Sequence, residues 1–595
     1  MPRIVLALAL GLVTSCGGAS VPPRAPGGSP GWSEWSAEAF ERARRERRPI
    51  LLSVQAGWCH WCHVMDETTY ADPDVRARLG AFVLVRADGD ARPDLAERFR
   101  DYAWPATVFL TPEGAPILAL RGYRAPAQFG VILEEVLAAF AQGRALAPSA
   151  GAAEPPAADL DAARRAVVAQ LDAAYDAQDA GWGRRQRYPL AAPVEHALYR
   201  ARVRGEREWQ ARALASLERY ATLIDPVFGG MYQYSIPFAW DRPHYEKIVP
   251  VQAGAIRAFA AAHRASGDPR WLAHAAAIHR YVREHLRAPD GAFYASQDAD
   301  LGGHAQPGPA MSGAEYYALD EPARRALGVP RVDTRVYAST NGMLIEALAL
   351  LHVASGESAP LAEATRAAER ILRTHRGDDG LFAHDADADD PVRYLADQAH
   401  LLAAFLALHQ ASGAPRWLEE SRRLADATLA RLRGEDGALR LHTEDPRAAA
   451  LFRDAPVAVT ESAVAARALL AIARLTDTAS YRDAAVAALR AASRPRAVRR
   501  LGRMIGELAL ALETLRDGHV VLSVVGPDEP RTSALFAAAR RLDEPTRLVE
   551  LGRPGASRYP YPGEPAVFLC SSHACSMPVY DPAELPTALA SFLDR

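Results

Sequence analysis

The strongest chemical signal in this sequence is a pair of cysteines, Cys59 and Cys62, within the segment Cys-His-Trp-Cys-His. The apolar run PILLSVQ at residues 49–55 predicts a strand, and a segment without helix breakers follows the cysteines and predicts a helix. A cysteine at a helix N-terminus ionises readily, because the helix dipole and the free N–H groups stabilise a thiolate. The pattern therefore predicts thiol–disulfide exchange, with Cys59 as the attacking thiolate and Cys62 as the resolving thiol.

Three further residues belong to this predicted redox site. His60 and Trp61 lie between the cysteines and are expected to tune the redox potential. Pro105 precedes a predicted strand, at the position of a cis-proline facing the cysteines, where the missing N–H leaves room for a substrate backbone. Two alternatives stay open: Cys-x-x-Cys-His is also the attachment pattern of c-type haem, and a structural metal would need ligands beyond His60 and His63. No cofactor or metal is assigned.

A second group of reactive residues lies far downstream, in segments that combine aromatic rings with carboxylates. Aromatic platforms and acids suit sugar rings, since Glu and Asp act as general acid and base in glycoside chemistry. The candidate pocket residues are Tyr234, Trp240, His244, Glu246, Asp298, Asp300 and Glu315. For the histidine and the acids the alternative is a hydrogen-bonded network that braces or caps long loops. The alternative function is thus a carbohydrate-processing or carbohydrate-binding barrel, with a structural thioredoxin-like domain; a third is a non-catalytic scaffold with a permanent disulfide.

These loops connect a long series of predicted helices. Twelve amphipathic segments begin near Asp159, Ala191, Glu208, Val249, Pro269, Ser339, Pro360, Tyr394, Pro415, Thr460, Ser480 and Arg500. Glycine turns followed by hydrophobic residues come after odd-numbered helices, for example at 179–182 and 435–439, whereas the joints after even-numbered helices are brief. This alternation predicts an (α/α)6 toroid over residues 156–517, resembling six-hairpin glycosidases and sugar epimerases; an α-solenoid is the alternative.

The predicted architecture is therefore multidomain. An α/β thioredoxin-like domain at 31–145 precedes the all-α toroid, and residues 518–595 predict a small C-terminal α/β unit. Cys570 and Cys575 in this unit form a second thiol pair. A structural disulfide is one interpretation of that pair, exchange with the first pair is another, and a metal clip with His573 is a third.

The N-terminus predicts export and lipid anchoring. Residues 1–16 read as a lipoprotein signal peptide, because a short apolar run ends in Val-Thr-Ser-Cys and Cys16 would become the lipidated residue. Residues 17–30 are rich in Gly, Pro and Ser and predict a flexible tether. Gly17 carries no retention charge, so the expected location is the periplasmic face of a bacterial outer membrane.

Composition limits the partners. The chain has 595 residues and a net charge of −3, with basic and acidic residues interleaved, which argues against binding to nucleic acid. No later segment predicts a membrane span, so the lipid is the expected membrane contact. The expected partners are protein thiols or disulfides, with a carbohydrate ligand as the further possibility.

Several motifs resemble the family of spermatogenesis-associated protein 20 and its bacterial relatives (DUF255), which are thioredoxin-domain proteins. They are Trp32-x-x-Trp35 through Phe40, Pro49-Ile50, Cys59 to Met65, Arg92-Pro93-Asp94, Trp104 to Pro112, Pro243 to Lys247 and Ala295 to Asp300. Trp58 and Thr340 depart from the residues usual in the family, and Ser53 stands where thioredoxin carries a buried Asp. The resemblance covers nearly the whole chain and implies the same domain order.

Overall fold

The structure, a computed structural model, describes residues 31–146, 154–236, 238–302, 310–445, 448, 452 and 455–593. The predicted signal peptide, Cys16 and the tether lie outside the described residues. Within the described part of the chain, no helix combines the length and the apolar character that a membrane crossing requires. Three units follow one another along the chain, as predicted: a thioredoxin-like domain, a helical barrel and a small α/β unit.

The thioredoxin-like domain is built on a mixed five-stranded sheet. In spatial order its strands are Ser33–Glu34, Val83–Asp88, Ile50–Gln55, Ala106–Leu110 and Pro116–Arg121. The first three are parallel, and the last two join antiparallel. Its helices are Ala37–Glu46, His60–Glu67, Pro73–Leu79, Pro93–Arg98 and Pro126–Ala141.

The central strand Ile50–Gln55 is buried along its whole length, which explains its continuous apolar sequence. Its side chains alternate between the two faces of the sheet. Leu52 joins the core on one face, and Leu51 joins the core on the other. The strand therefore fixes the position of the cysteine motif, which begins directly after it.

The barrel consists of two concentric rings of helices. The inner helices are Ala191–Arg204, Val249–Ser266, Ala338–Ser355, Leu395–Ser412, Val459–Thr476 and Gly506–Asp517. The outer helices are Leu160–Ala174, Arg207–Ala221, Arg270–Tyr281, Ser358–Thr374, Pro415–Arg431 and Ala479–Ala492. Each inner helix packs against the next, and the sixth packs against the first, so the ring is closed. The predicted (α/α)6 toroid is confirmed, and the open α-solenoid is excluded.

Burial distinguishes the two rings. Leu395–Ser412 in the inner ring is buried on nearly every side, because it lies between the barrel interior and an outer helix. Ser358–Thr374 in the outer ring buries Ala364, Ala367, Ala368 and Ile371, a stripe with helical spacing, and exposes its polar face. A helix that is apolar on nearly every side thus indicates the inner ring, and a helix with one apolar stripe indicates the outer ring.

The two ends of the barrel differ in the length of their connections. At one end, inner helices such as Leu395–Ser412 end at a glycine with a left-handed backbone, Gly413 at φ 70°, and the outer helix begins two residues later. At the other end, long loops lead into the inner helices; we call this end the loop face. The loops include a small antiparallel sheet of Lys247–Ile248, Ser296–Gln297 and Val332–Asp333, which we call the docking sheet.

The C-terminal unit covers the short-joint end of the barrel. Its strands are ordered Arg547–Gly552, Val520–Val525 and Ala566–Cys570, with helices Pro530–Arg541 and Leu585–Leu593. Val549 N–H donates to Gln410 of an inner helix, and Arg474 donates to the carbonyl of Cys570. These contacts seat the unit on the ends of the inner helices.

The thioredoxin-like domain covers the loop face. Arg335 of one barrel loop pairs with Asp88 at 2.5 Å, and Arg500, in the short helix Pro495–Leu501, pairs with Asp101 at 2.6 Å. Phe452, which precedes the inner helix Val459–Thr476, packs at 4.8 Å between ring centroids against Trp35 inside the core of the thioredoxin-like domain. The barrel therefore lies between two covering units, and one of them shares its core with a barrel side chain.

Candidate functional site

The redox motif begins a helix, as its sequence predicts. Cys59 is the N-cap of His60–Glu67, and its sulfur accepts a hydrogen bond from the backbone N–H of Cys62 at 3.1 Å. The two cysteines form a disulfide with a Cα–Cα distance of 5.3 Å. In the reduced protein the same N–H is placed to stabilise a Cys59 thiolate. Pro105 follows a cis peptide bond, as expected.

The disulfide is covered by the barrel. Cys59 is 3% exposed and Cys62 is 1% exposed. They pack in a small apolar cluster with Trp58, Trp104 and, from the docking sheet, Ile248. Trp61, between the two cysteines, is 40% exposed, so the motif itself reaches the surface there.

His60 is bound by an acid from the barrel. Its Nδ1 lies 2.5 Å from Oδ2 of Asp300, and the other oxygen of that carboxylate, Oδ1, accepts the backbone N–H of Gly313 at 2.7 Å. Burial by itself lowers the pKa of His60, but the hydrogen bond to Asp300 and the charge of that carboxylate outweigh it, so the pKa is raised. A protonated imidazole next to Cys59 favours the thiolate. Two residues predicted for different sites therefore form one pair.

A second histidine of the motif faces a second barrel acid. His63 Nδ1 lies 3.8 Å from Oδ2 of Asp298, and Arg331 lies 3.9 Å from the same oxygen. Arg331 also donates to the carbonyl of Gly57, just before the motif. The segment that follows one docking strand thus brings two carboxylates to the two histidines. Sequence reasoning missed Arg331, because no spacing pattern links it to residues more than 200 positions upstream.

Glu246 lies near the same surface with one free oxygen. It is 3% exposed, and among the described residues its Oε2 has no hydrogen-bond partner. Nδ1 of His244 lies 3.9 Å from this oxygen. Tyr234 stacks on His244 at 4.2 Å and on Tyr188 at 4.6 Å. Burial raises the pKa of Tyr188 to about 12, so this tyrosine stays neutral at ordinary pH.

A buried carboxyl that sequence reasoning did not select lies behind the motif. The indole N–H of Trp58 donates to Asp90 at 2.7 Å, and the Asp90 carbonyl oxygen lies 2.7 Å from Nε2 of His384. Burial, and then the charge of Asp88, raise the pKa of Asp90 to about 7. The sequence signal that could have indicated Asp90 was the pair Gly89-Asp90 directly after the strand Val83–Asp88. Ser53, which stands where thioredoxin carries a buried Asp, is buried and accepts a hydrogen bond from Gln55, so the strand Ile50–Gln55 supplies no acid at that position.

Two predicted pocket residues lie apart from this group. Trp240 is buried and packs on Tyr220, and its indole N–H donates to the Asp179 carbonyl at 2.9 Å. Glu315 is exposed and forms a capping box with Ser312 at the start of a short helix. The structure thus gives the tryptophan a packing role and the glutamate a capping role.

The second cysteine pair lies at the other end of the molecule. Cys570 and Cys575 form a disulfide; Cys570 is buried and Cys575 is exposed. Arg474, which ends an inner helix on the short-joint side, donates to the Cys570 carbonyl. The structure therefore does not bring this pair near Cys59 and Cys62.

Comparison with known proteins agrees with the motifs. Residues 29–146 match the family described as "Protein of unknown function, DUF255". Spermatogenesis-associated protein 20 of Homo sapiens is 24% identical, covering 93% of this chain and 89% of the human protein. The predicted family resemblance is confirmed. Uncharacterized protein B0495.5 of Caenorhabditis elegans is 25% identical over a region that covers 45% of this chain and 41% of the nematode protein.

The DUF255 region also resembles bacterial redox proteins. Thiol:disulfide interchange protein DsbD 1 of Pseudomonas aeruginosa is 36% identical over 80 residues, which are 13% of this chain and 14% of that protein. A solved structure similar to the barrel is cellobiose 2-epimerase from Bacillus thermoamylovorans, with 9% identity, 55% of this chain and 85% of that chain covered, and a TM-score of 0.44. The barrel architecture itself follows from the closed ring of inner helices.

Proposed function

We propose that this protein carries out thiol–disulfide exchange at Cys59 and Cys62. The observation that carries the proposal is the placement of Cys59 as the N-cap of a helix, with the Cys62 N–H on its sulfur. That placement lowers the pKa of a free thiol and prepares it for nucleophilic attack. The similarity of the surrounding region to a protein named thiol:disulfide interchange protein supports the same chemistry.

The reaction passes two electrons between two dithiol–disulfide pairs. In the reductive direction, the Cys59 thiolate attacks a substrate disulfide, forms a mixed disulfide and releases one substrate thiolate. The Cys62 thiol then loses its proton and attacks Cys59 Sγ, which closes the Cys59–Cys62 disulfide and releases the second substrate thiol. The reverse sequence oxidises a substrate dithiol. The hydrogen bond and the charge of Asp300 raise the pKa of His60, the residue after Cys59, which favours an imidazolium there in both directions.

The cover over the disulfide limits the substrate. Because Cys59 and Cys62 are nearly inaccessible, a folded protein surface cannot dock flat on them in this arrangement. We infer that the substrate disulfide lies in an extended segment or a small molecule that enters beside Trp61. Asp298 and Asp300 face the motif histidines, so in this arrangement they serve the thiol site rather than a sugar site.

Trapping of mixed disulfides tests this function. In cells that produce Cys62→Ser, the resolving step is blocked, and substrates should remain covalently bound to Cys59. Adducts should be visible on non-reducing gels and vanish in the Cys59→Ser/Cys62→Ser control. If the single variant forms no adducts, and the wild-type disulfide stays oxidised in mild dithiothreitol, exchange is not the function.

We also propose that Cys16 carries a lipid that anchors the protein on the periplasmic side of a bacterial membrane. The support is the Val-Thr-Ser-Cys sequence after an apolar run. Phase separation in a non-ionic detergent should place the wild type in the detergent phase and Cys16→Ser in the aqueous phase. Ser20→Ala in the tether is the matched control. An unchanged distribution for Cys16→Ser would rule out the anchor.

A further inference from the structure

The barrel encloses a second place for ligand chemistry, far from the cysteines. A cavity of about 250 Å³ lies inside the inner ring, beneath the C-terminal unit. Its walls come from the inner helices, and the segment from Arg540 to Val549 covers it. The volume is below the range of about 300–1,000 Å³ that suits drug-sized ligands, so the cavity fits a small molecule.

The part of the cavity deepest in the barrel is an ion-pair network of two arginines and three glutamates. Arg257 pairs with Glu195 at 2.6 Å, with Glu507 at 3.3 Å and with Glu346 at 3.4 Å. Arg467 pairs with Glu507 at 3.0 Å. The guanidinium groups of Arg257 and Arg467 both have carboxylate partners, so this layer does not need a ligand anion.

The part next to the C-terminal unit is different, because its cations lack carboxylate hydrogen bonds. We call Arg264, Arg540 and Arg547 the basic layer. Arg547 donates to the backbone carbonyls of Glu544 and Arg540. Arg540 donates to the carbonyl of Ala411. Among the described residues, Nε and Nη1 of Arg264 and Nε of Arg540 are buried without a hydrogen-bond partner.

Arginines outnumber acids in the basic layer. Asp543 lines this part of the cavity and the charge of Glu544 acts on Arg547, against three arginines. Burial, and then the charge of Arg264, lower the pKa of Arg547 to about 9, although Asp543 and Glu544 act in the opposite direction. Burial also lowers the pKa of Arg540 to about 10. Buried N–H groups of a cation without an acceptor are costly, so an anion that accepts hydrogen bonds from Arg264 and Arg540 would stabilise this arrangement.

We propose that the basic layer binds a small oxyanion, a phosphate or a carboxylate of a few carbon atoms, inside the barrel. Arginine forks match the paired oxygens of both groups, and the free N–H groups of Arg264 and Arg540 point to an acceptor that the protein does not supply. Neither the thiol site nor the loop face takes part, since both lie at the opposite end of the inner helices.

Calorimetric titration of the full chain with inorganic phosphate and with malonate tests this site, at constant ionic strength set with chloride. We expect one saturable site for at least one of the two anions. Arg264→Gln should weaken its binding about tenfold or more, the loss typical of a charged hydrogen bond. Arg547→Gln should weaken it as well. Arg431→Gln, which changes an exposed arginine on an outer helix, is the matched control.

A stability measurement separates ligand binding from a structural role of the arginine. In anion-free buffer, Arg264→Gln should melt at or above the wild-type temperature, because it removes a buried charge without a partner. The binding anion should raise the melting temperature of the wild type by about 2–4 °C and leave the variant unchanged. The proposal is overturned if neither anion binds the wild type, or if Arg264→Gln binds it with wild-type affinity. The Cys59→Ser/Cys62→Ser variant should bind normally.

Discussion

His60 receives its counter-charge from a residue 240 positions away along the chain, Asp300. This pairing ties the electrostatics of the cysteine motif to the docking of the barrel. Because the carboxylate favours the imidazolium, and the imidazolium favours the neighbouring thiolate, the acid acts on Cys59 through His60. Asp300 is therefore a positioning residue for the thiol chemistry.

Replacing this acid should make the Cys59 thiol less acidic. In Asp300→Asn the pKa of His60 falls, because the hydrogen bond and the charge of Asp300 are lost, so the imidazolium is less populated and stabilises the thiolate less. We expect the pKa of reduced Cys59 to rise by about 0.5–1 unit. Thiolate absorbance at 240 nm, with Cys59→Ser subtracted, measures this without access to the sulfur. Asp387→Asn, an exposed loop residue, should leave the titration unchanged; an identical titration for Asp300→Asn would refute the coupling.

Asp90 should make stability depend on pH. Its pKa is raised to about 7 in the folded protein, so folding favours the protonated carboxyl. The stabilisation is fully present below the pKa of the unfolded chain, near 4, and is lost as the pH rises through about 7. Asp90→Asn keeps an acceptor for the Trp58 indole and cannot ionise. At pH 8 it should exceed the wild type in free energy of unfolding by about 1–2 kcal/mol.

Urea denaturation at several pH values measures this difference. The advantage of Asp90→Asn should shrink towards pH 5, where the wild-type carboxyl is also neutral. A difference that is independent of pH would show that Asp90 does not titrate in this range.

Local patterns were sufficient for part of the site. Cys59, Cys62 and Pro105 follow from strand, turn and helix signals within a short window, and the structure places them as expected. The chemistry of Asp298 and Asp300 was also visible, but their partner was not. Carboxylates beside aromatic residues suit a sugar as well as a histidine, and a sequence does not show which surface will cover a loop.

The docking sheet is the element that joins the two domains. Its first strand presents Ile248 to the disulfide cluster, and its second leads directly into Asp298 and Asp300. The strand carrying Ile248 is fixed by Lys247, whose Nζ lies 2.8 Å from Asp225, while Arg324 holds the same carboxylate at 2.9 Å. These three side chains are almost fully buried, so the sheet is a rigid support for the motif.

Shortening Ile248 should expose the disulfide. In Ile248→Ala the apolar cover over Cys59 and Cys62 is reduced, and dithiothreitol reaches the sulfurs more easily. We expect reduction to accelerate about three- to tenfold, which corresponds to about 0.7–1.4 kcal/mol of activation free energy. Alkylation of released thiols at timed intervals gives the rate. Val131→Ala serves as the control, because Val131 is 57% exposed on the surface of the thioredoxin-like domain. Equal reduction rates for the two variants would show that the barrel does not limit access to the disulfide.

Helices were predictable from the sequence, and the docking sheet was not. The helices carry apolar residues at the 3.6-residue period over 12 to 18 positions, which is a strong signal. Each strand of the docking sheet has two residues, too few to show alternation. Such strands exist because neighbouring loops pair in space, and that pairing depends on the closed ring.

At the scale of the whole molecule, the barrel separates two redox-capable pairs. Cys59 lies at the N-terminal ends of the inner helices, and Cys570 lies at their C-terminal ends. An inner helix of 18 residues spans about 27 Å at 1.5 Å per residue. Sulfur atoms must touch to exchange, so this distance prevents direct transfer between the pairs within one chain.

Removal of the second pair should therefore leave the first unaffected. In Cys570→Ser/Cys575→Ser, the rate of Cys59–Cys62 reduction by dithiothreitol and its equilibrium with glutathione should match the wild type. Mass spectrometry of alkylated peptides quantifies both. A shift in the Cys59–Cys62 equilibrium would mean that the pairs communicate, which this arrangement does not allow.

The ring of helices could be predicted because long and short connections alternate along the sequence. The docking of the thioredoxin-like domain and the C-terminal unit on its two ends could not be predicted. The alternation reflects the hairpin repeat, and a repeat is visible without knowledge of the fold. The contacts of the covers are single side chains, such as Arg335 with Asp88 or Arg474 with Cys570, and these have no period. The sequence therefore predicted the units and left their contacts open.

The insertion of Phe452 has a consequence for the order of events during synthesis. The thioredoxin-like domain ends near residue 146. The phenyl group of Phe452, which fills its core beside Trp35, comes from roughly 300 residues later in the chain. At about 5–20 residues per second, the ribosome needs about 15–60 s to reach it. The nascent redox domain therefore waits with an incomplete interior until most of the barrel has emerged, and its final consolidation coincides with assembly of the whole chain.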